Sequence, residues 1–472
     1  MKLEKANLVS WCRHLAQSGN VLDLVDERLK DSYDKEQASL CINLALLCLQ
    51  RSPESRPDSG DIVRILKGEM DAPVVPFEFS PSPKLYSSVV HGVRDVGFQL
   101  PRPVRVDNGS CKTMVEIYGY PCEEHTVITE DGYILSIQRI PNGHSIASPR
   151  PNAIPVLLEH GLFMDGITWI LNTPGESLGF ILADNGFDVW IANARGTKYS
   201  SGHTSLLPDD SAYWDWSWDE LTAYDLPATV KYIYPHTAEQ KLHYVGHSLG
   251  TLIALASFSE NALTNMFRSA ALLCPIAYLD QVASVLVQAM AKTFITEAFY
   301  WLGLYEFNPN EEAAQNLLKI LCEQPGVDCY DLMSAITGKN CCLNASTIEL
   351  YLEHEPQPTA TKNMIHLAQM IRMGTITKFD YNNEEENMKH YGQATPPPYN
   401  MSSIPIDFPL FIAYGGKDKL SDVQDVKHLL EVLKSHNIKI LYQENYAHFD
   451  FPWAVNANKV IYEPLMAFFK LH

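Results

Sequence analysis

The chain has 472 residues, of which 46% are hydrophobic and 19% charged, and its formal net charge is −20. This composition is typical of a packed globular protein. The negative charge also disfavours nucleic-acid binding, because phosphate backbones would repel it. Any contact with an anionic lipid surface would have to be apolar.

Export and membrane signals give a divided result. No uninterrupted apolar run reaches about 18 residues, so we predict no transmembrane span. The most apolar stretch, 269–307, is broken by charged residues and is interpreted as buried or amphipathic helix. The N-terminus has no apolar core typical of an export signal. Clustered cysteines and sequons at Asn108, Asn344 and Asn400 nevertheless favour a secretory-pathway protein, so localisation stays unassigned.

Seven of the ten cysteines lie beyond residue 100. Cys274 is in an apolar run and is predicted to be a free, buried thiol. Cys111 and Cys122 are plausible partners in a local disulfide. Six cysteines allow about fifteen connectivities, so the pairing of the other four stays open. Those four are Cys322, Cys329, Cys341 and Cys342.

The front of the chain, 1–70, is predicted to be a helical block. LCINLALLCLQ at 40–50 is typical of a buried helix. Residues 59–70 predict an amphipathic helix, with Ile62, Val63 and Ile65-Leu66 on one face. The next segment, 71–104, contains six prolines and is predicted to be an extended linker.

The helical block resembles the C-terminal end of the large lobe of plant receptor-like protein kinases. The similarity lies in NLVSW at 7–11, LDLVDERL at 22–29 and Arg56-Pro57 followed by IVRIL. The glycine-rich loop, the phosphate-binding lysine and the catalytic and metal-binding aspartates of that family have no counterpart in this sequence. The resemblance therefore implies an inactive remnant without ATP binding.

From about residue 105 the patterns of strand and helix alternate. Apolar runs at 153–159, 187–192 and 242–245 are typical of strands buried on both faces. Further strands are predicted at 408–414 and 438–442. The alternation predicts an α/β fold with a doubly wound, mostly parallel sheet and catalytic groups at the carboxyl ends of the strands.

Residues 281–393 interrupt this alternation with a helical, turn-rich pattern. We interpret them as a cap or lid inserted between two parts of an α/β core, 105–280 and 394–472. Extra core helices are the alternative. The apolar faces that indicate helices are Val282, Val285, Leu286, Val287 and Met290, and further along Leu317, Leu318, Ile320 and Leu321.

The sequence Gly246-His247-Ser248-Leu249-Gly250 is a G-x-S-x-G motif between a predicted strand and a predicted helix at 249–258. Glycines on both sides leave room for a serine in a strained turn, which lifts its hydroxyl clear of the backbone. The turn also brings the hydroxyl to a helix N-terminus with unpaired N–H groups. Ser248 is therefore the predicted nucleophile, and a structural Gly-Ser turn is the alternative.

A serine needs a base, and in such folds an acid and then a histidine follow it along the chain. Asp418 comes directly after the predicted strand at 408–414, and His448 lies in the last loop before the C-terminal helix. We predict that His448 moves the proton and that Asp418 fixes the imidazole. Asp422 and Asp425 are rivals for the acid, although their positions are more typical of a helix cap and a first helical turn.

The oxyanion of the reaction requires oriented donors. The predicted donors are the backbone N–H groups of Leu249 and of Leu162, in the His160-Gly161-Leu162 loop, for which an ordinary turn is the alternative. His160 is interpreted as structural. The tryptophan-rich segment 213–218 is expected in the core rather than as a substrate platform. No zinc, EF-hand or dinucleotide motif occurs, so neither a metal nor a cofactor is implied.

The region 111–472 resembles the acid lipase family, which includes gastric and lysosomal lipases, and is most similar to its plant triacylglycerol-lipase-like members. The resemblance implies an α/β-hydrolase fold with a helical lid and a Ser248–Asp418–His448 triad. It also implies acylglycerol or sterol-ester substrates at a lipid–water interface, and an extracellular, vacuolar or lysosomal site. The similar stretches are EDGYIL (130–135), EHGL (159–162), NGFDVW (185–190), NARGT (193–197), VGHSLGT (245–251), GKNCCLN (338–344), GGKD (415–418) and AHFD (447–450).

The kinase-like front departs from the lipase pattern and leaves open a gene fusion or a joined gene model. Two other functions also stay open. One is a non-catalytic binder of a small apolar ligand under the cap. The other is a signalling or interaction protein that acts through the kinase-like block.

Overall fold

The computed structural model describes residues 34–48, 57, 59–67, 70, 109–144, 153–309, 332–344, 351 and 354–472. The chain divides into two compact units, Met1–Gln99 and Leu100–His472. The predicted linker at 71–104 lies outside the described residues.

The first unit contains two described helices, α1 (Lys35–Cys48) and α2 (Ser59–Leu66). Leu44 and Leu47 of α1 are buried in one cluster with Ile65 of α2. The predicted apolar face of α2 is wrong in part, because Val63 is 47% exposed and Leu66 is 53% exposed. Val63 precedes Ile65 by two residues, or about 200° of helix rotation, so the two side chains point in opposite directions. The kinase-like motif at 22–29 lies outside the described residues, and that resemblance stays a prediction.

The second unit is built from eleven strands and twelve α-helices within the part of the chain that the structure describes. The strands are β1 (Glu123–Ile128), β2 (Tyr133–Ile140), β3 (Pro155–Glu159), β4 (Asp188–Ala192), β5 (Gly202–His203), β6 (Leu242–His247), β7 (Phe267–Leu273), β8 (Glu306–Phe307), β9 (Thr359–Ala360), β10 (Leu410–Gly415) and β11 (Ile438–Gln443). The helices are α3 (Leu178–Asp184), α4 (Trp218–Glu220), α5 (Leu226–His236), α6 (Leu249–Ser259), α7 (Val285–Lys292), α8 (Ile295–Trp301), α9 (Leu332–Thr337), α10 (Thr361–Met373), α11 (Glu384–Tyr391), α12 (Val423–Val432), α13 (Asp450–Trp453) and α14 (Glu463–Phe469).

The main sheet has the strand order β1-β2-β4-β3-β6-β7-β10-β11, with β5 paired to β2. Every pairing from β4 to β11 along this order is parallel, whereas β1, β2 and β5 pair antiparallel. The predicted mostly parallel α/β sheet is therefore confirmed. The antiparallel edge was not predicted from the sequence.

Both faces of the sheet are covered, as its apolar strands require. Val156 and Leu158 of β3 belong to one core cluster, and Leu157 between them belongs to the other. All three side chains are fully buried. Because successive strand residues point to opposite faces, a nearly continuous apolar run is what a strand between two layers needs.

The interpretation of 269–307 as helix is wrong at its start, where β7 (Phe267–Leu273) crosses the centre of the sheet. A short, fully apolar run has the same pattern in a buried strand and in a buried helix, so periodicity does not separate them. Within the described residues, no helix is both long and apolar enough to cross a membrane.

The segment 281–393 supplies helices α7 to α11 and the two-stranded β8–β9 ribbon. Its predicted apolar face at 317–321 lies outside the described residues. Cys111 and Cys122 form a disulfide, as predicted, and Cys341 and Cys342 form another. Cys274 is free and fully buried, also as predicted. The other two cysteines of the cluster, at 322 and 329, lie outside the described residues.

Candidate active site

Ser248 lies at the junction of β6 and α6 in a strained backbone conformation, with φ 53° and ψ −116°. L residues rarely adopt this conformation, and the motif glycines explain why it fits here. A Cβ on Gly246 would lie 2.7 Å from the carbonyl oxygen of Gly250. A Cβ on Gly250 would lie 2.7 Å from the carbonyl oxygen of Glu159. The two glycines therefore allow strand, turn and helix to pack in direct backbone contact.

Neighbouring groups fix the backbone of this turn. The Ser248 N–H donates to the carbonyl of Leu273 at 3.0 Å, which attaches the turn to the end of β7. The Thr251 hydroxyl donates to the Ser248 carbonyl at 2.6 Å. The side chain of Ser248 is thus presented by a rigid backbone at the carboxyl edge of the sheet.

Asp418 and His448 come together although thirty residues separate them. Nδ1 of His448 lies 2.8 Å from Oδ2 of Asp418, and both side chains are almost completely buried. The other carboxylate oxygen, Oδ1, accepts from the N–H groups of Leu420 and Ser421 at 2.9 Å. The carboxylate is held from both ends, so Nδ1 carries the proton and Nε2 is left for chemistry.

Ser248 and His448 line the same cavity. Among the described residues, no protein group forms a hydrogen bond with Ser248 Oγ. Serine–histidine bonds are often looser in a free enzyme than in its complex with substrate. The arrangement brings all three predicted residues together. Of the two contacts that a triad needs, the hydrogen bond between Asp418 and His448 is formed.

The two rival carboxylates have other partners. Asp422 is the N-cap of α12, where its side chain accepts from the Gln424 N–H. Asp425 lies inside α12 and accepts from the Gln281 N–H. In the described part of the chain, neither forms a hydrogen bond with His448. Both positions agree with the helix roles that the sequence indicated.

The two predicted oxyanion donors, Leu162 and Leu249, also line the cavity. Within the described backbone, neither of their N–H groups donates to a protein acceptor. His160 accepts from the Ala194 N–H at Nε2, which leaves its Nδ1–H to donate to the Gly161 carbonyl. Burial lowers the pKa of His160 to about 4. His160 is therefore a neutral structural residue, as predicted.

The last residue of α9 and the segment after it support the two loops that carry Asp418 and His448. Sequence reasoning missed this support. The carbonyl of Thr337 accepts from the N–H groups of Lys419 and His448 at 3.3 Å. The Asn340 side chain accepts from the Phe449 N–H at 3.0 Å. The one sequence signal for this support was the similarity of GKNCCLN (338–344) to the acid lipase family.

Asp450 and His247 fix the histidine loop from its other sides. The buried carboxylate of Asp450 accepts from the Ala447, Cys341 and Cys342 N–H groups. His247 Nε2 donates to the carbonyl of His448 at 3.0 Å. Burial and the neighbouring His448 hold the pKa of His247 well below its usual range, so it stays neutral.

One group of side chains near the site has the composition of a metal site. Ligand atoms of His247, Cys274 and His448 lie within 4.8 Å of one another. However, Nε2 of His247 donates to a backbone carbonyl, and Nδ1 of His448 is bonded to Asp418. Cys274 Sγ contacts the His448 carbonyl at 3.6 Å. These contacts position the histidine loop and occupy one ring nitrogen of each histidine.

The cavity beside Ser248 has a volume of about 410 Å³ and an almost wholly apolar lining. Much of that lining comes from the 281–393 segment. From this segment the lining residues are Val282, Val287, Met290, Ala291, Thr296, Phe307, Pro309, Leu332, Met333, Ile336, Thr337, Tyr351, Pro356, Met364, Leu367, Ala368 and Ile371. The tryptophans of 213–218 belong instead to the buried core, which confirms the packing interpretation.

Comparison with known proteins agrees with this geometry. Residues 154–454 match the alpha/beta hydrolase fold family, and residues 111–173 match the partial alpha/beta-hydrolase lipase region. The chain belongs to the α/β-hydrolase family of lipases. Both matches lie within the second unit, which holds every candidate residue of the site.

The matches between this lipase and its curated relatives cover most of the length of each relative. Triacylglycerol lipase 2 of Arabidopsis thaliana is 51% identical over 77% of this chain and 88% of its own. Triacylglycerol lipase 1 of the same plant is 44% identical, over 77% and 91%. Gastric triacylglycerol lipase of Rattus norvegicus is 35% identical, over 76% and 91%. The protein is thus a carboxylic ester hydrolase of the lipase type.

Proposed function

We propose that this lipase cleaves carboxylic esters of lipids through an acyl-enzyme on Ser248. One observation carries the proposal. The imidazole of His448 is bonded to Asp418 and lines the same apolar cavity as Ser248, whose backbone is strained. A buried carboxylate on Nδ1 stabilises the imidazolium that forms when Nε2 takes a proton.

The reaction follows from these positions. Ser248 Oγ attacks the ester carbonyl carbon while His448 Nε2 removes its proton. The N–H groups of Leu162 and Leu249 stabilise the oxyanion of the tetrahedral intermediate. The intermediate collapses to an acyl-serine, and His448 returns the proton to the leaving alcohol. Water activated by His448 then releases the carboxylic acid and restores the serine.

The proposed substrate class is triacylglycerol, with sterol esters as the nearest relatives in chemistry. An apolar cavity binds an acyl chain by removing its surface from water. The curated relatives carry the name triacylglycerol lipase, which supports the same class. We propose that 281–393 acts as the cap over this cavity and that substrate enters from a lipid–water interface.

A fluorophosphonate probe and an acylglycerol hydrolysis assay test the nucleophile. Ser248→Ala should abolish labelling and lower kcat by about 10⁶-fold, as for the nucleophile of a comparable serine hydrolase. Ser257→Ala is the matched control, since Ser257 is a buried serine of α6 whose hydroxyl has no hydrogen-bond partner among the described residues. Labelling that survives in Ser248→Ala, or apolar-ligand binding without any hydrolysis by the unmutated protein, would contradict the proposal.

A further inference from the structure

Two buried carboxyl groups meet at the end of the oxyanion loop, which we define as residues 161–165. Asp165 ends this loop, is fully buried, and caps the following turn by accepting from the Ile167 N–H at 2.8 Å. Glu355, only 3% exposed, comes from the 281–393 segment. Its Oε1 accepts from the Asp165 N–H at 2.9 Å. Two acids from distant parts of the chain thus share one buried site.

The segment around Glu355 holds the oxyanion loop at a second point. The Gln357 N–H donates to the carbonyl of Phe163 at 2.9 Å. The Gln357 side chain in turn accepts from the Lys198 N–H at 2.9 Å. Leu162, the proposed oxyanion donor, directly precedes Phe163. The direction of its N–H therefore depends on how firmly 355–357 fixes the loop.

The charge state of the pair follows from its surroundings. Burial raises the pKa of Asp165 to about 6, and burial together with Asp165 raises that of Glu355 well above its usual range. Among the described residues, Lys198 is a cation that acts on Asp165, and it favours the charged form of Asp165. The other facing groups, Tyr199 and Tyr351, are phenols with raised pKa values and stay neutral. Two negative charges at this site would repel each other with little screening.

Each carboxyl group also keeps one oxygen free for a shared proton. Oδ2 of Asp165 and Oε2 of Glu355 are buried and accept no hydrogen bond from a donor among the described residues. A buried oxygen without a donor is costly, and a proton held between the two groups removes that cost. The geometry therefore suits a carboxyl–carboxylate pair with one proton.

We propose that Asp165 and Glu355 are positioning residues for the oxyanion hole: their shared proton keeps 355–357 fixed against the oxyanion loop, and its loss loosens the loop. The inference rests on the proposed function and adds a pH-dependent element to it. Neither residue touches the reacting atoms. Their effect should appear in kcat, because an oxyanion donor acts mainly on the transition state.

The direction of the pH effect follows from the raised pKa values. An acid whose pKa is raised by folding contributes stability below its ordinary pKa, about 4, and loses that contribution as pH rises through the folded value. For a pair that holds one proton, the loss follows the higher of the two raised pKa values, that of Glu355, and so lies above the pKa of Asp165. The loosening of the oxyanion loop therefore belongs to the alkaline limb of the pH profile.

The experiment compares the full-length protein with Glu355→Gln and Glu355→Ala on a soluble short-chain p-nitrophenyl ester between pH 4 and 9. In Glu355→Gln the amide oxygen still accepts from the Asp165 N–H, and the amide donates to the Asp165 carboxylate at every pH. We expect its alkaline limb to move to higher pH by at least about one unit. The reason is that the amide, unlike the shared proton, is not lost as pH rises. Below the alkaline limb, Glu355→Ala should lose kcat about 10- to 100-fold with a smaller change in KM, less than the loss of a whole oxyanion donor.

Asp425→Asn is the matched control, because burial and Asp280 raise the pKa of Asp425 to about 7 at a site away from the oxyanion loop. Its pH profile should follow that of the unmutated protein. An unshifted alkaline limb in Glu355→Gln, a misfolded Glu355→Gln protein, or an effect of Glu355→Ala on KM alone would overturn the inference. These results leave the proposed function intact as long as fluorophosphonate labelling still requires Ser248, so the two failures are distinguishable.

Discussion

Asp418 and His448 are joined by a hydrogen bond of 2.8 Å between Oδ2 and Nδ1, and neither side chain is more than 2% exposed. A carboxylate in this position does two things for the imidazole. It selects the tautomer with the proton on Nδ1, and it lowers the cost of a positive charge on the ring. The remaining carboxylate oxygen is occupied by two backbone N–H groups, so Asp418 has little freedom to rotate away.

Replacing Asp418 by asparagine should therefore lower kcat by about 10⁴-fold with little loss of stability, as in another serine hydrolase triad. The asparagine amide would donate to Nδ1 and so place the imidazole proton on Nε2, where a base is needed. Steady-state kinetics on an acylglycerol measure the effect, and Asp425→Asn should keep its rate at neutral pH. Equal losses in the two variants would show that Asp418 has no special role.

Gly250→Ala tests the close backbone contact behind the serine turn. Its Cβ would lie 2.7 Å from the Glu159 carbonyl oxygen and 2.9 Å from that of His160, and backbone atoms there cannot rotate aside. We expect the free energy of unfolding to fall by about 1–3 kcal/mol, and activity to fall with it because residues 159 and 160 directly precede the oxyanion loop at 161–165.

Gly175→Ala provides the comparison for Gly250→Ala, since no atom lies within 4 Å of a Cβ at Gly175. Chemical denaturation of both variants measures the difference. Similar stability for the two alanines would mean that the strand and helix can separate without cost. In that case the motif glycine would not be explained by close packing.

The triad residues could be predicted from the sequence because each has a local signal. Ser248 lies between two glycines, and Asp418 and His448 follow strands whose ends meet at one edge of the sheet. The separation of Asp418 from Asp422 also followed from local patterns, since a helix cap can be recognised from its neighbours. Local chemistry was enough to place these residues near one another.

The contacts that hold the site together had no such signal. Glu355 and Asp165 are 190 residues apart, and neither has a pattern around it that indicates a partner. The Asn340 contact with the histidine loop spans 109 residues. Such contacts depend on how the 281–393 segment packs onto the core, which periodicity does not encode. The strand β7 was missed for a different reason, because an apolar run fits a buried strand and a buried helix equally well.

Removing residues 1–104 should leave esterase activity undiminished. All candidate residues of the site lie in the Leu100–His472 unit, and the family matches begin at residue 111. Comparison of kcat and KM for the full-length and shortened proteins on the same ester measures this. A clear loss of kcat in a shortened protein that is still folded would favour a role for the kinase-like block in the enzyme itself.

The cavity wall offers a test of substrate preference. Ala368 lies on α10, is buried, and lines the cavity near the middle of that helix. Phenylalanine at this position would fill space that a long acyl chain needs, while a short chain would still fit. We expect kcat/KM for palmitoyl esters to fall about 10-fold or more relative to butyryl esters, since each excluded methylene group costs about 1–3 kcal/mol of binding.

Met373→Phe is the matched control for Ala368→Phe, because Met373 ends the same helix, is 42% exposed, and is not part of the cavity lining. Met373→Phe should leave kcat/KM unchanged for both palmitoyl and butyryl esters, whereas Ala368→Phe should change the ratio of the two values. A ratio that stays constant in Ala368→Phe would mean that the acyl chain does not bind along α10. The apolar cavity would then need another occupant, such as the alcohol part of the ester, and sterol esters would become the better candidates for the substrate.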